Sequence, residues 1–99
     1  PGGRMVLFMP AYKYRVSGVV QGVGYRSFVA KVARQYGIKG FVRNMPNGDV
    51  EVVAQAASAD ILEEFEKELQ RYSSGGAYVE SVEKETIDEA DFADFSIRF

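Results

Sequence analysis

The sequence predicts an α+β sandwich in which an antiparallel sheet carries two helices on one face, with a short strand added at the carboxyl end. Two observations predict this fold. Strand-like and helix-like segments alternate along the chain in the order βαββαβ, and hydrophobic residues make up 46% of the 99 residues, which suits one compact domain. Because crossovers between parallel strands are right-handed, this order leaves one familiar arrangement, with both helices on the same face.

A strand, a glycine-rich loop, a helix and a hairpin open this pattern. Residues 11–18 are predicted to form the strand, because apolar and polar side chains alternate there. Residues 25–36 are predicted to form the helix, and Gly37 to end it in the left-handed conformation. The apolar face of this helix is predicted to contain Phe28, Val29, Val32, Ala33 and Tyr36. Residues 38–45 and 50–56 are predicted to form a hairpin around a Pro-Asn-Gly turn.

A second helix and two strands complete the chain. The helix is predicted over residues 59–72, with the Ser58 side chain capping its first turn and its glutamates, Glu66 among them, facing solvent. Residues 77–87 are predicted to form a strand, whose imperfect alternation indicates a bulge or an edge position. A last short strand is predicted to place three apolar side chains on one face: Phe95, Ile97 and Phe99.

The stretch between the first strand and the first helix has the composition of an anion-binding loop. Residues 18–26 (GVVQGVGYR) contain three glycines, which reach positive φ and let backbone N–H groups approach a ligand. Such a loop at a helix N-terminus is a general site for phosphate. Arg26 lies in the first helical turn, where the helix dipole disfavours a cation unless an anion binds there too. The local residues equally allow Arg26 to be an exposed surface arginine.

The composition excludes several kinds of function. The chain has neither cysteine nor histidine, so it has no disulfide, no thiolate nucleophile and no histidine base or metal ligand. Its net charge of −2 argues against a polyanion as ligand. Ser27 stands where a dinucleotide-binding fingerprint needs a third glycine, and the Gly-Lys-Ser/Thr sequence of nucleotide hydrolases is missing. Any anion bound here is therefore expected to be small.

Two segments of the chain resemble the signature sequences of the acylphosphatase family. They are residues 18–26 and residues 40–50 (GFVRNMPNGDV), and the resemblance extends over about residues 12–99. It implies a ferredoxin-like fold and a small enzyme that hydrolyses the carboxyl-phosphate bond of acyl phosphates to a carboxylate and inorganic phosphate. Two departures from the family pattern, Ala56 and residues 73–77 (SSGGA), are expected not to touch the site.

The resemblance also implies roles for individual residues. Arg26 binds the phosphate, Asn44 orients the attacking water, and no metal or cofactor takes part. The phosphate cradle is completed by the loop amides of Val20, Gln21, Gly22, Val23, Gly24, Tyr25 and Arg26. A carboxylate leaving group, whose conjugate acid has a pKa of about 4, departs without a general acid. We hypothesise that a phosphate oxygen takes the proton from the attacking water.

Other interpretations stay open. The residues alone favour Asn44 as a turn-initiating residue, because the second strand need not end near the glycine loop. A non-catalytic ferredoxin-like module that binds a small anion or RNA is the main alternative function, with Tyr12, Tyr14 and Phe41 stacking on bases. A third function is that of an acylphosphatase-like domain in a carbamoyl-transfer system, although the short length favours the free-standing enzyme.

Further expectations concern the N-terminal residues, the location and the partners of the chain. Residues 1–10 are expected to be an N-terminal extension, flexible or partly vector-derived, and residues 11–99 to be the acylphosphatase-like domain. No targeting segment is recognised, so a cytoplasmic location is expected. The protein is separately expected to be a monomer. Its partners are expected to be a small-molecule acyl phosphate and the product inorganic phosphate, without nucleic acid or membrane.

Overall fold

A computed structural model describes residues 9–99 and contains the elements in the predicted order. Their bounds are β1 Ala11–Val19, α1 Tyr25–Gln35, β2 Lys39–Asn44, β3 Val50–Gln55, α2 Ala59–Arg71, β4 Tyr78–Thr86 and β5 Phe95–Arg98, with a 3-10 turn at Ser74–Gly76. The predicted ferredoxin-like α+β fold is confirmed. Most of the expected N-terminal extension lies outside the described residues. The carbonyl of Pro10, the last residue of this extension, accepts a hydrogen bond from the Ala56 amide.

The strands form one sheet in the order β4-β1-β3-β2-β5. All pairings among the first four strands are antiparallel, as predicted, whereas β5 lies parallel to β2, with Phe95 opposite Gly40. The terminal strand thus makes the sheet mixed, which hydrophobic alternation does not specify. Because β3 runs antiparallel to both β1 and β2, these two strands point the same way and end at the same edge of the sheet.

One hydrophobic core lies between the sheet and the two helices. The strands contribute the buried side chains of one face: Tyr14, Val16, Val42, Val50, Val52 and Phe95. The helices contribute Val29, Ala30, Ala33, Leu62, Phe65 and Leu69. The prediction that Tyr36 belongs to this apolar face is wrong, because α1 ends one residue earlier and the Tyr36 side chain is exposed.

β4 is an edge strand and carries a bulge, so both explanations of its irregular pattern are confirmed. Ser17 of β1 lies opposite Ser81, but the next residue, Gly18, lies opposite Val79, which leaves one extra residue in β4. Gly18 has a φ of +128°, and a Cβ at this position would overlap the carbonyl oxygen of Tyr78. Gly18 therefore serves the close approach of two strands, and the loop proper begins after it.

α2 is joined to the sheet by a carboxylate, and its predicted side-chain cap is not formed. Ser58 precedes the helix in an extended conformation but makes no capping hydrogen bond. The Glu66 carboxylate accepts hydrogen bonds from the Tyr14 phenol at 3.0 Å and from Lys84 at 3.2 Å. Glu66 therefore faces the sheet, not solvent as predicted.

In the described part of the chain, no helix has the length and apolar character needed to cross a membrane.

Candidate active site

The loop between β1 and α1 brings backbone donors together at the start of the helix. Gly22 and Gly24 adopt φ values of +73° and +80°, in the left-handed region. Gly24 is the N-cap residue of α1, and its carbonyl accepts a hydrogen bond of 3.1 Å from the Phe28 amide. The first amides of a helix have no partner within it, and no side chain of residues 9–99 caps them here. The helix therefore offers these donors to an anion at its positive end.

A small pocket lies at the edge of the sheet where β1 and β2 both end. Its volume is about 110 Å³, below the roughly 300–1,000 Å³ of clefts that hold drug-sized ligands. It is lined by Val20, Gly22, Gly24, Tyr25, Arg26, Ser27 and Asn44. Both predicted catalytic residues and five of the seven residues predicted for the cradle are among them. The size suits a group such as phosphate better than a whole cofactor.

Asn44 is the last residue of β2, and it lines this pocket. Its Oδ1 atom is buried and accepts no hydrogen bond from residues 9–99. An unsatisfied buried acceptor costs about 1–3 kcal/mol, and a donor bound next to this atom would offset that cost. The sequence left open whether the end of β2 lies near the glycine loop, and the structure places Asn44 beside it, while the role of Asn44 stays a prediction. β1 and β2 point the same way, which brings the end of β2 beside the glycine loop.

Arg26, in the first turn of α1, lines the same pocket. Its Nη1 atom donates to the Arg98 carbonyl at 2.9 Å, and its guanidinium carbon lies 4.7 Å from the centroid of the Phe99 ring. β5 and the residue after it thus stabilise a cation that the helix dipole disfavours. None of the ion pairs within residues 9–99 involves Arg26. Its charge and its remaining N–H donors are therefore available to an anion.

Gln21 and Val23 do not line the pocket and instead anchor the loop from outside it. The Gln21 side-chain amide donates to the carbonyls of Met45 and Asp49, each at 2.8 Å, in the turn between β2 and β3. The Val23 carbonyl accepts a hydrogen bond of 2.7 Å from the Tyr72 phenol, directly after α2. The expected contact of the Gln21 and Val23 backbone amides with phosphate stays a prediction.

Tyr25 lines the pocket, but its phenol forms a hydrogen bond with α2. The side chain is buried, and the phenol donates to the Leu69 carbonyl at 2.7 Å. Burial raises the pKa of the Tyr25 phenol well above its usual value, so the group stays protonated at neutral pH. The lining contains no carboxylate, histidine or lysine. Its chemistry therefore depends on hydrogen bonds and on the charge of Arg26.

Known proteins share the sequence and the fold of this chain. The model of the acylphosphatase family matches residues 12–97. The chain belongs to the acylphosphatase family. An acylphosphatase from Pasteurella multocida is 39% identical over 87 residues, which cover 88% of this chain and 96% of that protein. The structures of acylphosphatases from Bacillus subtilis and Coxiella burnetii have TM-scores of 0.85 and 0.84 at 29% and 34% identity, over 92% of this chain and 100% and 94% of theirs.

Residues 73–77, one of the two segments expected to depart from the acylphosphatase pattern, border the loop, contrary to the expectation that they do not touch the site. Gly75 lies beside Val23, since a Cβ at Gly75 would be 3.6 Å from the Val23 carbonyl oxygen. Tyr72, just before the segment, donates to the same carbonyl. The other departure, Ala56, is buried in the core and does not line the pocket.

Sequence reasoning missed two residues at or beside the candidate site, Ser27 and Tyr72. Ser27 lines the pocket, and its only signal in the sequence is its place in the first helical turn after Arg26. Tyr72 falls on the apolar stripe of the second helix, which indicates packing against the core. Its contact with the loop depends on how the end of α2 sits against α1, and no local pattern encodes that.

The aromatic residues considered for stacking on RNA bases do not form an exposed platform. Tyr14 is fully buried, and Tyr12 packs against the core. Phe41 lies on the open face of the sheet, away from the helices. There the Arg98 guanidinium covers its ring at 3.8 Å, and Phe92 packs edge-on against it. This arrangement weakens the nucleic-acid alternative.

A larger pocket, of about 290 Å³, is lined mainly by charged residues of β1, β3 and β4. Several of these side chains pair with one another, as Lys13 does with Glu85 at 2.7 Å and Arg15 with Glu83. Exposed pairs of this kind contribute about 0–1 kcal/mol each.

Within residues 9–99, no group of three or more histidine, cysteine, aspartate or glutamate residues is placed to hold a metal ion.

Proposed function

We propose that this protein is an acylphosphatase that hydrolyses the carboxyl-phosphate bond of acyl phosphates, giving a carboxylate and inorganic phosphate. One observation carries this proposal: Arg26, Asn44 and the glycine loop line one pocket of a size that suits a phosphoryl group. The chain that builds this pocket belongs to the acylphosphatase family. The pocket supplies a cation, a hydrogen-bond acceptor and backbone donors, which are the parts that the reaction needs.

The phosphoryl group binds at the N-terminus of α1. Backbone amides of Gly22, Gly24 and Tyr25 and the guanidinium of Arg26 donate to its oxygens, because helix N-termini and forked guanidinium groups both favour phosphate. Loop and helix fix these donors before the substrate arrives. They therefore stabilise the charge on the phosphoryl oxygens in the transition state without further reorganisation.

Asn44 orients the attacking water. Its buried Oδ1 atom, which accepts no hydrogen bond from residues 9–99, accepts one from the water and directs the water oxygen toward phosphorus. An amide is too weak a base to take the proton, so the proton passes to a phosphoryl oxygen as the new oxygen–phosphorus bond forms. The bond between phosphorus and the carboxyl oxygen breaks, and the carboxylate leaves with the electron pair. Its conjugate acid has a pKa of about 4, so no general acid is needed.

The alternative functions differ in what they require of the pocket. A small-anion binding module needs the loop and Arg26 but gives Asn44 no catalytic task. A domain of a carbamoyl-transfer system uses the same phosphate chemistry on a carbamoyl phosphate, so comparing that substrate with acetyl phosphate distinguishes it. A monomeric state, a cytoplasmic location and the lack of nucleic-acid or membrane partners stay predictions.

The test is hydrolysis of acetyl phosphate and carbamoyl phosphate, with EDTA present, by the wild type and four variants. Arg26→Gln and Asn44→Ala are each expected to lower kcat/KM by about 10²–10³-fold, as removal of one transition-state hydrogen bond does. Arg34→Gln is the control for Arg26, because Arg34 lies on the same helix and donates to a β5 carbonyl, that of Phe95. Asn47→Ala is the control for Asn44, since Asn47 is an exposed asparagine of the neighbouring turn.

Both controls are expected to keep wild-type activity, and thermal unfolding checks that all variants are folded. A wild type that is no faster than buffer but still binds phosphate would contradict the proposal and favour a binding module. A large loss of rate with EDTA would contradict a metal-independent mechanism. Equal losses in Arg26→Gln and Arg34→Gln would show that Arg26 has no special role.

A further inference from the structure

The hydroxyl of Tyr72 binds the carbonyl of a residue in the middle of the phosphate loop. The phenol lies directly after α2, and it donates to the Val23 carbonyl at 2.7 Å. Val23 is flanked by Gly22 and Gly24, both of which line the pocket. α2 contributes no residue to the lining, yet through this phenol the chain at its end contacts the loop from outside.

The geometry of the peptide group links this hydrogen bond to the pocket. In a planar trans peptide, the carbonyl of one residue and the N–H of the next point in opposite directions. Since the Val23 carbonyl points at Tyr72, the Gly24 N–H points away from Tyr72. The following peptide is fixed in the same way, because the Phe28 amide donates to the Gly24 carbonyl. The directions of the Gly24 and Tyr25 amides are thus set by hydrogen bonds to the carbonyls that precede them, those of Val23 and Gly24.

The loop needs such an anchor because the residue after Val23 is a glycine, Gly24. Glycine populates positive and negative φ about equally, so rotation of the Val23–Gly24 peptide meets little resistance from its neighbours. Gly24 also makes room for the phenol: a Cβ there would lie 3.0 Å from the Tyr72 hydroxyl oxygen. Gly24 therefore both lets this peptide rotate and leaves room for the Tyr72 hydroxyl that fixes it.

The Tyr72 ring is itself held between aromatic residues of α1. Its centroid lies 4.6 Å from that of Phe28 and 5.7 Å from that of Tyr25, the latter edge-on. Tyr25 donates its own phenol to the Leu69 carbonyl of α2. Tyr25 of α1 thus donates a phenolic hydrogen bond to α2, and Tyr72 at the end of α2 donates one to the loop before α1. This packing gives the Tyr72 hydroxyl a defined position.

We propose that Tyr72 is a positioning residue of the phosphate site, whose hydrogen bond to the Val23 carbonyl aims the Gly24 amide at the phosphoryl group. The inference rests on the proposed function, because it assigns the pocket to phosphate. Tyr72 does not line the pocket, so it acts only through the loop.

The test compares Tyr72→Phe with Tyr14→Phe at a temperature well below the Tm of either variant. Each change removes one phenolic hydroxyl and keeps the ring, and the Tyr14 phenol donates to Glu66, outside the phosphate pocket. Binding of inorganic phosphate is measured by titration of the ¹⁵N-labelled protein, and hydrolysis of acetyl phosphate is measured on the same samples. In Tyr72→Phe, the Kd for phosphate is expected to rise and kcat/KM to fall by about five- to tenfold, the change that one lost hydrogen bond of about 1–1.4 kcal/mol produces.

The Gly24 amide resonance gives a readout that a general loss of stability does not move. Its shift on saturation with phosphate is expected to be smaller in Tyr72→Phe than in the wild type and unchanged in Tyr14→Phe. Wild-type Kd, rate and Gly24 shift in Tyr72→Phe would overturn the proposal, and so would equal weakening in both variants. A wild type that binds phosphate without hydrolysing acetyl phosphate would overturn the proposed function alone, because the Kd values and the Gly24 shift still decide the role of Tyr72. A wild type that binds no phosphate would overturn both.

Discussion

Arg26 is a cation at the helix end that disfavours cations, and its neighbours explain how it stays there. The dipole opposes a charge of this sign by about 0.3–1 kcal/mol. The Arg98 carbonyl at 2.9 Å and the Phe99 ring at 4.7 Å act in the other direction, and a cation–π contact at an exposed site is worth about 0.5–1 kcal/mol. Neither contact neutralises the guanidinium. Arg26 is thus held near the pocket with its charge intact, as a site that works by electrostatics requires.

Two buried phenols predict how the stability of the fold depends on pH. Burial raises the pKa values of Tyr14 and Tyr25, and the Glu66 carboxylate adds to the shift at Tyr14. With a raised pKa, the folded protein keeps a proton that the unfolded chain loses. The stability that these groups contribute is therefore fully present below the unfolded pKa of about 10, and it falls as the pH rises above that value, by at most about 1.4 kcal/mol per pH unit for each phenol.

Urea unfolding between about pH 8 and about pH 12 measures this dependence. Tyr14→Phe is expected to be less stable than the wild type at the lower pH but to lose stability less steeply above about pH 10, because one of the two groups no longer titrates. The Tyr72→Phe variant is the control for removal of a hydroxyl, since the Tyr72 phenol donates to the Val23 carbonyl and not to a carboxylate. Equal slopes in the wild type and Tyr14→Phe would contradict the assignment to Tyr14.

At the scale of the element, β1 and the loop after it use glycine for different purposes. Gly18 lies in the strand at the bulge, where a Cβ would overlap the Tyr78 carbonyl. Gly22 lies in the loop with a φ of +73°, and a Cβ there would meet nothing within 4 Å. A side chain at Gly18 therefore disturbs the pairing of β1 with β4. At Gly22 it costs only the strain of the left-handed conformation, about 1–2 kcal/mol.

Alanine at these two positions is expected to separate stability from activity. Gly18→Ala is expected to lose about 3 kcal/mol or more of the free energy of unfolding, since it combines strain with a backbone clash, and to keep its activity per folded molecule. Gly22→Ala is expected to lose less stability but to lower kcat/KM by about tenfold or more, because a change in φ redirects amides that hold the phosphoryl group. Urea unfolding and acetyl phosphate hydrolysis measure the two effects. A greater loss of stability in Gly22→Ala than in Gly18→Ala would contradict this division.

At the scale of the whole molecule, local patterns predict the elements better than the contacts between them. The period of the apolar residues predicts α1, and a Pro-Asn-Gly turn predicts the hairpin of β2 and β3. Tyr72 and Val23, by contrast, lie 49 positions apart in the chain, and neither local pattern encodes their contact. The direction of β5 and the place of Asn44 beside the loop follow from which strands pair with each other. The alternation of apolar and polar residues does not determine that pairing. The local residues allowed Arg26 to bind an anion but left that role open, and the role of Asn44 could be predicted only through the resemblance to the acylphosphatase signatures.

Phosphate binding at this pocket is expected to stabilise the whole fold, because the unfolded chain has no assembled loop to bind it. Phosphate at ten times its Kd adds about 1.4 kcal/mol, which for a domain of this size raises the Tm by about 5–10 °C. Arg34→Gln is expected to show the full increase and Arg26→Gln little of it, at an ionic strength matched with chloride. An equal increase in both variants would mean that phosphate acts away from the pocket, by exclusion from the protein surface. Protection by an RNA oligonucleotide but not by phosphate would favour the nucleic-acid module over the enzyme.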